Sequence, residues 1–280
     1  MKIINTIFLI LIAAALFTGC DKVTPSTSKV VITPDTSTYI RKVLIEDYTG
    51  HICGNCPDAA YALDTIINLY GSQIVPIAVH AGSNAAVALP NYTTDFTCPV
   101  GDTWNTFFGV TANPNGAVNR SGIVDYSAWA VLTQAYLYAS GAAVPASMNI
   151  KIANHYNTST RTITDTLKCL YIQPQDSAYM LSVVITEDSV IDYQLFYHPN
   201  HHDDPTYVFN HVLRGSMNSA WGDTLSSTHQ AAMTTFTKVY TLDLSTISKI
   251  KNDNNCHVVA FIYNAVTKQV VQAEEVWVNR

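Results

Sequence analysis

Charge is what this sequence has least of. Only 13% of its 280 residues are Asp, Glu, Lys or Arg, and the net charge is −6. The composition therefore gives no electrostatic case for nucleic acid as a partner. Beyond residue 20 no apolar run is long enough to span a bilayer as a helix. No internal repeat is evident. Cysteine is sparse, six in all, and only Cys53 and Cys56 stand at a spacing that chemistry uses. Without a second Cys-x-x-Cys, a zinc half-site there lacks its other half. What is plentiful is apolar residues, 48%, with Thr, Ser, Asn and Tyr. That texture points to an envelope or extracellular protein with β structure, and the length leaves room for two domains at roughly 100–200 residues each.

The N-terminus carries an address. Lys2 supplies a positive start, Ile3 to Phe17 an apolar stretch, and Phe17-Thr18-Gly19-Cys20 closes it. This looks like a bacterial lipoprotein signal (residues 1–19), cut after the small Gly19 so that Cys20 takes the lipid. A simple secretory signal with an incidental cysteine is the plainer alternative. An acylated Cys20 would anchor the chain to a membrane, since each buried methylene adds about 0.8 kcal/mol. Residues 20–38 are a Thr/Ser/Pro-rich segment, too polar to bury a core and suited to a flexible tether.

The next stretch organises the chain. A branched apolar run, Val43-Leu44-Ile45-Glu46-Asp47-Tyr48-Thr49, reads as a strand and leads through a short turn into Cys53-Gly54-Asn55-Cys56. A helix is expected from Pro57 to Tyr70, with Ala60, Leu63, Ile66, Ile67 and Tyr70 on one face and Gly71 as its stop. At a helix N-terminus, unpaired N–H groups and the dipole favour a thiolate, so Cys53 there becomes a nucleophile. A buried strand follows at Gln73–His80, with Pro76 tolerable near its start or on an edge. Residues 81–103 read as an insertion of loops, and Gly101–Phe108 as a helix capped by Asp102 or Thr103. Ser127–Ser140 repeats apolar residues at helical spacing.

Between those last two helices lies Gly109-Val110-Thr111-Ala112-Asn113-Pro114. In this order the elements resemble the thioredoxin family, over about residues 39–145. The resemblance implies a cis-proline turn at Pro114 facing the cysteines, and at Asn113 a backbone offered to an extended substrate. It also implies a buried carboxylate at Asp47, six positions before Cys53, accepting the proton of Cys56. An exposed Asp47, or an inward Glu46 in its place, is the alternative. The chain departs from the family pattern at Ile52, where the family has Trp, and at Gly54-Asn55, which leaves the redox direction open.

From 146 to 280 the texture changes to period-two runs at Ser147–Asn154, Arg161–Ile172, Met180–Glu187, Phe236–Leu244, His257–Tyr263 and Val270–Val278. They predict an all-β domain, an immunoglobulin-like sandwich. The lipoprotein signal, the Thr-Gly-x-x-Cys-Gly-Asn-Cys-Pro start and this β segment, with Asn210-His211-Val212-Leu213-Arg214-Gly215 inside it, resemble the 28-kDa outer-membrane-protein family of Bacteroidetes. That implies an envelope lipoprotein, with the outer membrane as its expected site, and does not by itself imply catalysis.

Two further groupings are weighed. His198, His201, His202 and Asp203 sit within a few residues of one another and offer metal-ligand chemistry, but at no fixed ligand spacing, so a solvated polar loop is the favoured reading and no metal is expected. Cys169 and Cys256 fall in or beside expected strands, and an oxidising envelope permits a bridge between them; Cys98 is left over. Two functions follow. In one, Cys53 attacks the disulfides of envelope proteins and Cys56 resolves the mixed disulfide, with no cofactor. In the other, Cys53–Cys56 is a static disulfide and the β segment binds a protein or glycan.

Overall fold

The computed structural model describes residues 39–279; the expected signal, Cys20 and the tether lie outside the described residues. The chain opens with strand β1 (Val43–Thr49), helix α1 (Cys56–Tyr70) and strand β2 (Ile74–His80). β1 and β2 run parallel in unbroken register from Val43↔Ile74 to Thr49↔His80. Helix α1 ends where expected, at Gly71, whose φ of 57° suits a residue without a Cβ. Helix α2 (Pro99–Phe107) starts earlier than the expected cap, with Cys98 as N-cap and Pro99 in the first turn. Proline is at home there because that N–H has no helical partner. Strand β3 (Asn115–Val118) follows Pro114 and pairs antiparallel with β1, and α3 (Trp129–Leu137) closes this mixed α/β part.

A β-rich part follows. Its strands are β4 (Tyr138–Ala139), β5 (Ala142–Ala143), β6 (Met148–Asn157), β7 (Thr162–Tyr171), β8 (Tyr179–Glu187), β9 (Val190–Phe196), β10 (His202–Phe209), β11 (Val212–Ser216), β12 (Asp223–Ser226), β13 (Thr235–Asp243), β14 (Cys256–Asn264) and β15 (Val270–Trp277). All six runs predicted from period-two alternation are strands within a few residues of the expected limits. Their arrangement differs from a free-standing unit. The sheet order β15-β14-β8-β11-β2-β1-β3 makes one continuous sheet of the two parts, with β12 alongside β8. The seam is β11 against β2, where the Ala78 N–H donates to the His211 carbonyl at 2.8 Å. This also explains Pro76 inside β2. Its missing N–H falls two residues before Ala78, on the side that β11 has not yet reached.

Among the described residues, three large apolar clusters cover the sheet, with a small fourth of Phe96, Val190, Phe209 and Val212. Val43, Ile45, Ile74 and Val118 pack on Ala59, Leu63 and Ile66 of α1 and on Trp129 and Leu137 of α3. On the opposite face Leu44, Val75, Ile77 and Val79 share a core with Trp104 of α2 and with Val184, Val259 and Phe261. The separate sheet β13-β7-β6 turns Ile150, Ile163, Leu167, Cys169 and Tyr171 onto Leu181, Val183, Ile185, Val258, Ala260 and Ile262.

The expected bridge between Cys169 and Cys256 is not formed. Both are fully buried free cysteines within this last core, and Cys98 is a buried free cysteine in the Trp104 core beside α2. Burial pushes the thiol of Cys98 up to about 11 and that of Cys169 to about 12, and raises that of Cys256 as well. They behave as small apolar side chains rather than as nucleophiles.

Glu46 resolves one alternative. It lies on the α2 face of β1, fully buried, and the Arg120 guanidinium binds its carboxylate at 2.6 and 3.0 Å while stacking 4.5 Å from the Trp104 ring. Removing one partner strands the other charge in the core. Glu46→Gln or Arg120→Met should each cost about 3–5 kcal/mol in urea unfolding, and a double replacement by apolar residues should cost clearly less than their sum.

Candidate functional site

Cys53 and Cys56 form a disulfide at the start of α1, and both are buried, at 5% and 2% exposure. The turn before them is tied down by its own chain, with Cys53 N–H to Gly50 O at 3.1 Å and Cys56 N–H to Cys53 O at 3.1 Å. Asn84 adds a brace, its carbonyl accepting from Ile52 N–H at 3.1 Å.

What buries the disulfide is the β9–β10 hairpin. The β9 strand lays its donors on the cysteine loop: Leu195 N–H to His51 O at 2.9 Å, Gln194 Nε2 to Cys53 O at 3.0 Å, and Tyr197 N–H, just beyond the strand, to Gly54 O at 2.8 Å. The Tyr197 ring lies directly over Gly54, where an added Cβ would collide with its carbons. A glycine is therefore required at this position for close approach. The hairpin springs from the adjoining ends of β8 and β11. Its base is clamped by Ser189 N–H to Asn210 Oδ1 at 3.0 Å and His211 N–H to Asp188 Oδ1 at 2.7 Å. Ser189 and His211 take φ values of 59° and 58°, left-handed kinks at both ends of the insertion.

Asp47 stands on the same face of β1 as Val43 and Ile45, toward α1. It is 3% exposed, and its Oδ1 has no hydrogen-bond partner. It lines a cavity of about 60 Å³ together with Cys56, His80, Gln194, Tyr207 and Phe209. Burial alone pushes its carboxyl up to about 8. Asn113 and Pro114 lie at the end of β1, next to the Tyr48↔Asn115 pair. The bond between them is cis, and the Asn113 side chain donates to Tyr48 O at 2.7 Å and accepts from Asn84 at 3.3 Å. Asp47, Cys53, Cys56 and the Asn113–Pro114 turn are thus gathered around one end of β1.

The His/Asp group lies on the turn of the hairpin and the first residues of β10. His202 stacks on Phe196 with ring centroids 4.9 Å apart, and its Nδ1 meets Asn200 O at 2.7 Å. His201 packs on Tyr197, Asp203 accepts from Tyr92 and Asn91, and a cis bond joins His198 to Pro199. Among the described residues no cluster of three or more His, Cys, Asp or Glu gathers in metal-holding geometry.

Gln194, Tyr197, His51 and His80 were not singled out by sequence. His80 had a usable signal: it follows Ala78 by two in a strand whose register sets it beside Thr49, on the Asp47 face. The hairpin had none, since its contact with the cysteines spans some 140 residues of chain.

Residues 101–280 match the family model described as Outer membrane protein Omp28. No curated protein matches. Among solved structures, the chain is similar to HBP35 of Porphyromonas gingivalis, with a TM-score of 0.63 at 15% identity, over 86% of this chain and 76% of that one. That likeness is one of fold. A domain of the outer membrane lipoprotein Omp28 from Porphyromonas gingivalis matches at 24% identity over 48% of this chain and 89% of that one, with a TM-score of 0.33. A protein from Agrobacterium tumefaciens matches at 13% identity over 86% and 96%, with a TM-score of 0.49.

The buried carboxyl makes stability depend on pH. An unfolded Asp titrates near about 3.9, so Asp47's contribution is fully present below pH ~4 and is lost as pH rises toward its folded value of about 8. Asp47→Asn should stabilise the protein at pH 8 by on the order of 2–4 kcal/mol and leave it little changed at pH 4, as read by urea unfolding at the two pH values.

Proposed function

This chain belongs to the Omp28 family of outer membrane proteins, and from that premise we propose that it is a lipid-anchored envelope protein that exchanges disulfides with envelope protein thiols. In this reading residues 39–145 are a thioredoxin-like domain and the β-rich remainder, a sandwich, supports it and supplies its cover. Cys20 would hold the protein to the membrane. The observation that carries the reading is the convergence of a Cys-x-x-Cys disulfide, an unpartnered buried carboxyl and the Asn113–Pro114 turn at one end of a parallel β–α–β unit.

In the reduced protein, the Cys53 thiolate attacks a substrate disulfide. The bond from Cys53 Sγ to one substrate sulfur forms, the substrate S–S bond breaks, and the second substrate sulfur leaves as a thiolate. Cys56 then attacks Cys53 Sγ, expelling the remaining substrate thiolate, and Asp47 receives the proton that Cys56 sheds. The backbone of Asn113 would align the substrate in extended form. Run backwards, the same steps oxidise a substrate dithiol.

The burial of both sulfurs favours a second reading, a static disulfide beneath a β module that binds a partner. The two part on reactivity. Exchange requires the hairpin to lift, so Tyr197→Ala should speed reduction of Cys53–Cys56 by glutathione by about tenfold or more. Wild-type protein should reduce insulin, and Cys53→Ser should abolish this. A potential far below the range of about −120 to −270 mV spanned by known exchange proteins, with no turnover in either form, would leave the static reading.

A further inference from the structure

Five ionisable groups line the cavity behind Cys56, Asp47 of β1, His80 of β2, Asp64 of α1, Tyr207 of β10 and His211, with Thr49, Gln194 and Asn210 as neutral polar neighbours. Two of them are buried without partners. His80 is 3% exposed, and neither ring nitrogen has a hydrogen bond; the Oδ1 of Asp47 has none either. The His80 ring is held in place by apolar contacts, stacked at 4.8 Å on Phe96 and edge-on at 5.6 Å to Phe209. Buried nitrogens left unsatisfied cost about 1–3 kcal/mol each, so this arrangement needs a compensating partner. The cavity of about 60 Å³ supplies room for one, since a water needs roughly 10–15 Å³ and two or more polar neighbours.

We propose that His80 is a positioning residue for the exchange site: through water in this cavity its imidazole N–H holds the carboxylate form of Asp47, and so sets how readily Cys56 gains or gives up its proton. This rests on the exchange reading for its purpose, but not for its geometry. When the Cys53–Cys56 bond breaks under attack at Cys53, Cys56 leaves with the electron pair as a thiolate. Asp47 passes its proton to that thiolate, and His80, neutral throughout, donates its N–H through water to the carboxylate left behind. Burial, with the His51 ring and the Arg214 guanidinium nearby and against a weaker pull from the Ala78 backbone, holds His80 far down, at about 3, so it stays neutral at any working pH. A neutral ring keeps one N–H donor and one acceptor, which is what a bridging water can use.

The test reads the resting, oxidised protein. The Asp47 carboxyl is titrated by its carbon shift, and the His80 ring by its nitrogen shifts. In wild type both should inflect at one pH, and the His80 inflection should vanish in Asp47→Asn. His80→Phe should raise the Asp47 midpoint by about one unit, a tenfold change in its proton equilibrium. His80→Gln, which keeps an N–H donor, should restore most of it. The pH profile of reduction by dithiothreitol should move in the same sense. An Asp47 midpoint indifferent to His80→Phe, or His80 shifts that do not sense Asp47, overturns the proposal. If His80→Phe does not fold, the wild-type and Asp47→Asn shifts decide alone. Coupled titration without insulin turnover would instead sink the exchange reading while keeping the His80–Asp47 link.

Discussion

Three hydrogen bonds from Gln194, Leu195 and Tyr197 to the carbonyls of His51, Cys53 and Gly54 govern how this site behaves. They close the sulfurs from solvent and fix the loop that leads into α1. They also wall one side of the cavity behind Cys56, and burial there keeps Asp47 protonated and His80 neutral. The low dielectric that shifts Asp47 is thus a property of the cover, not of the β–α–β unit alone. Gly54 belongs to the same contact, because Tyr197 occupies the space where any side chain would stand.

The continuous sheet makes this cover possible. β8 and β11 pair antiparallel, with Val212 opposite Glu187, and the hairpin is the insertion between their ends. Because β11 also bonds to β2, the base of the hairpin is fixed one strand away from β1, on which Asp47 sits. The segment Asn210 to Gly215 serves this junction. Asn210 and the His211 amide close the hairpin base, the His211 carbonyl joins the sheet to β2, and Arg214 reaches the buried Glu187 at 2.7 Å. The base is clamped and kinked, while the rest of the hairpin is held by contacts to two loops, the cysteine loop and residues 91–94. Such an element opens locally at lower cost than the sheet beneath it.

Much of the fold was legible because it is written in local periodicity. The α1 helix, its Gly71 stop and the six alternating runs each carry their own signal within a dozen residues. Asp47, Cys53 and Cys56 stand close together in sequence, and Pro114 is pointed to only by its order after α2 in the family resemblance. What was not legible depends on pairing across the chain. No local pattern says that β11 joins β2, that 188–211 folds back over residue 53, or that Cys169 and Cys256 share a core without bonding. His198, His201, His202 and Asp203 read as a cluster by proximity in sequence, whereas in the hairpin their side chains pair separately with Phe196, Tyr197, Tyr92 and Asn91. The α2 helix begins at Pro99, ahead of the cap that Asp102 or Thr103 suggests, because proline suits a first helical turn.

The central claim is that the hairpin covers the disulfide reversibly. Amide hydrogen exchange at Leu195 and Tyr197, the two N–H groups that bind the cysteine loop, tests it most directly. A hinged cover predicts that both exchange together, well ahead of the β1 amides, with an opening rate that also limits reduction of Cys53–Cys56. Exchange of Leu195 and Tyr197 only through global unfolding, at the pace of β1, would contradict it.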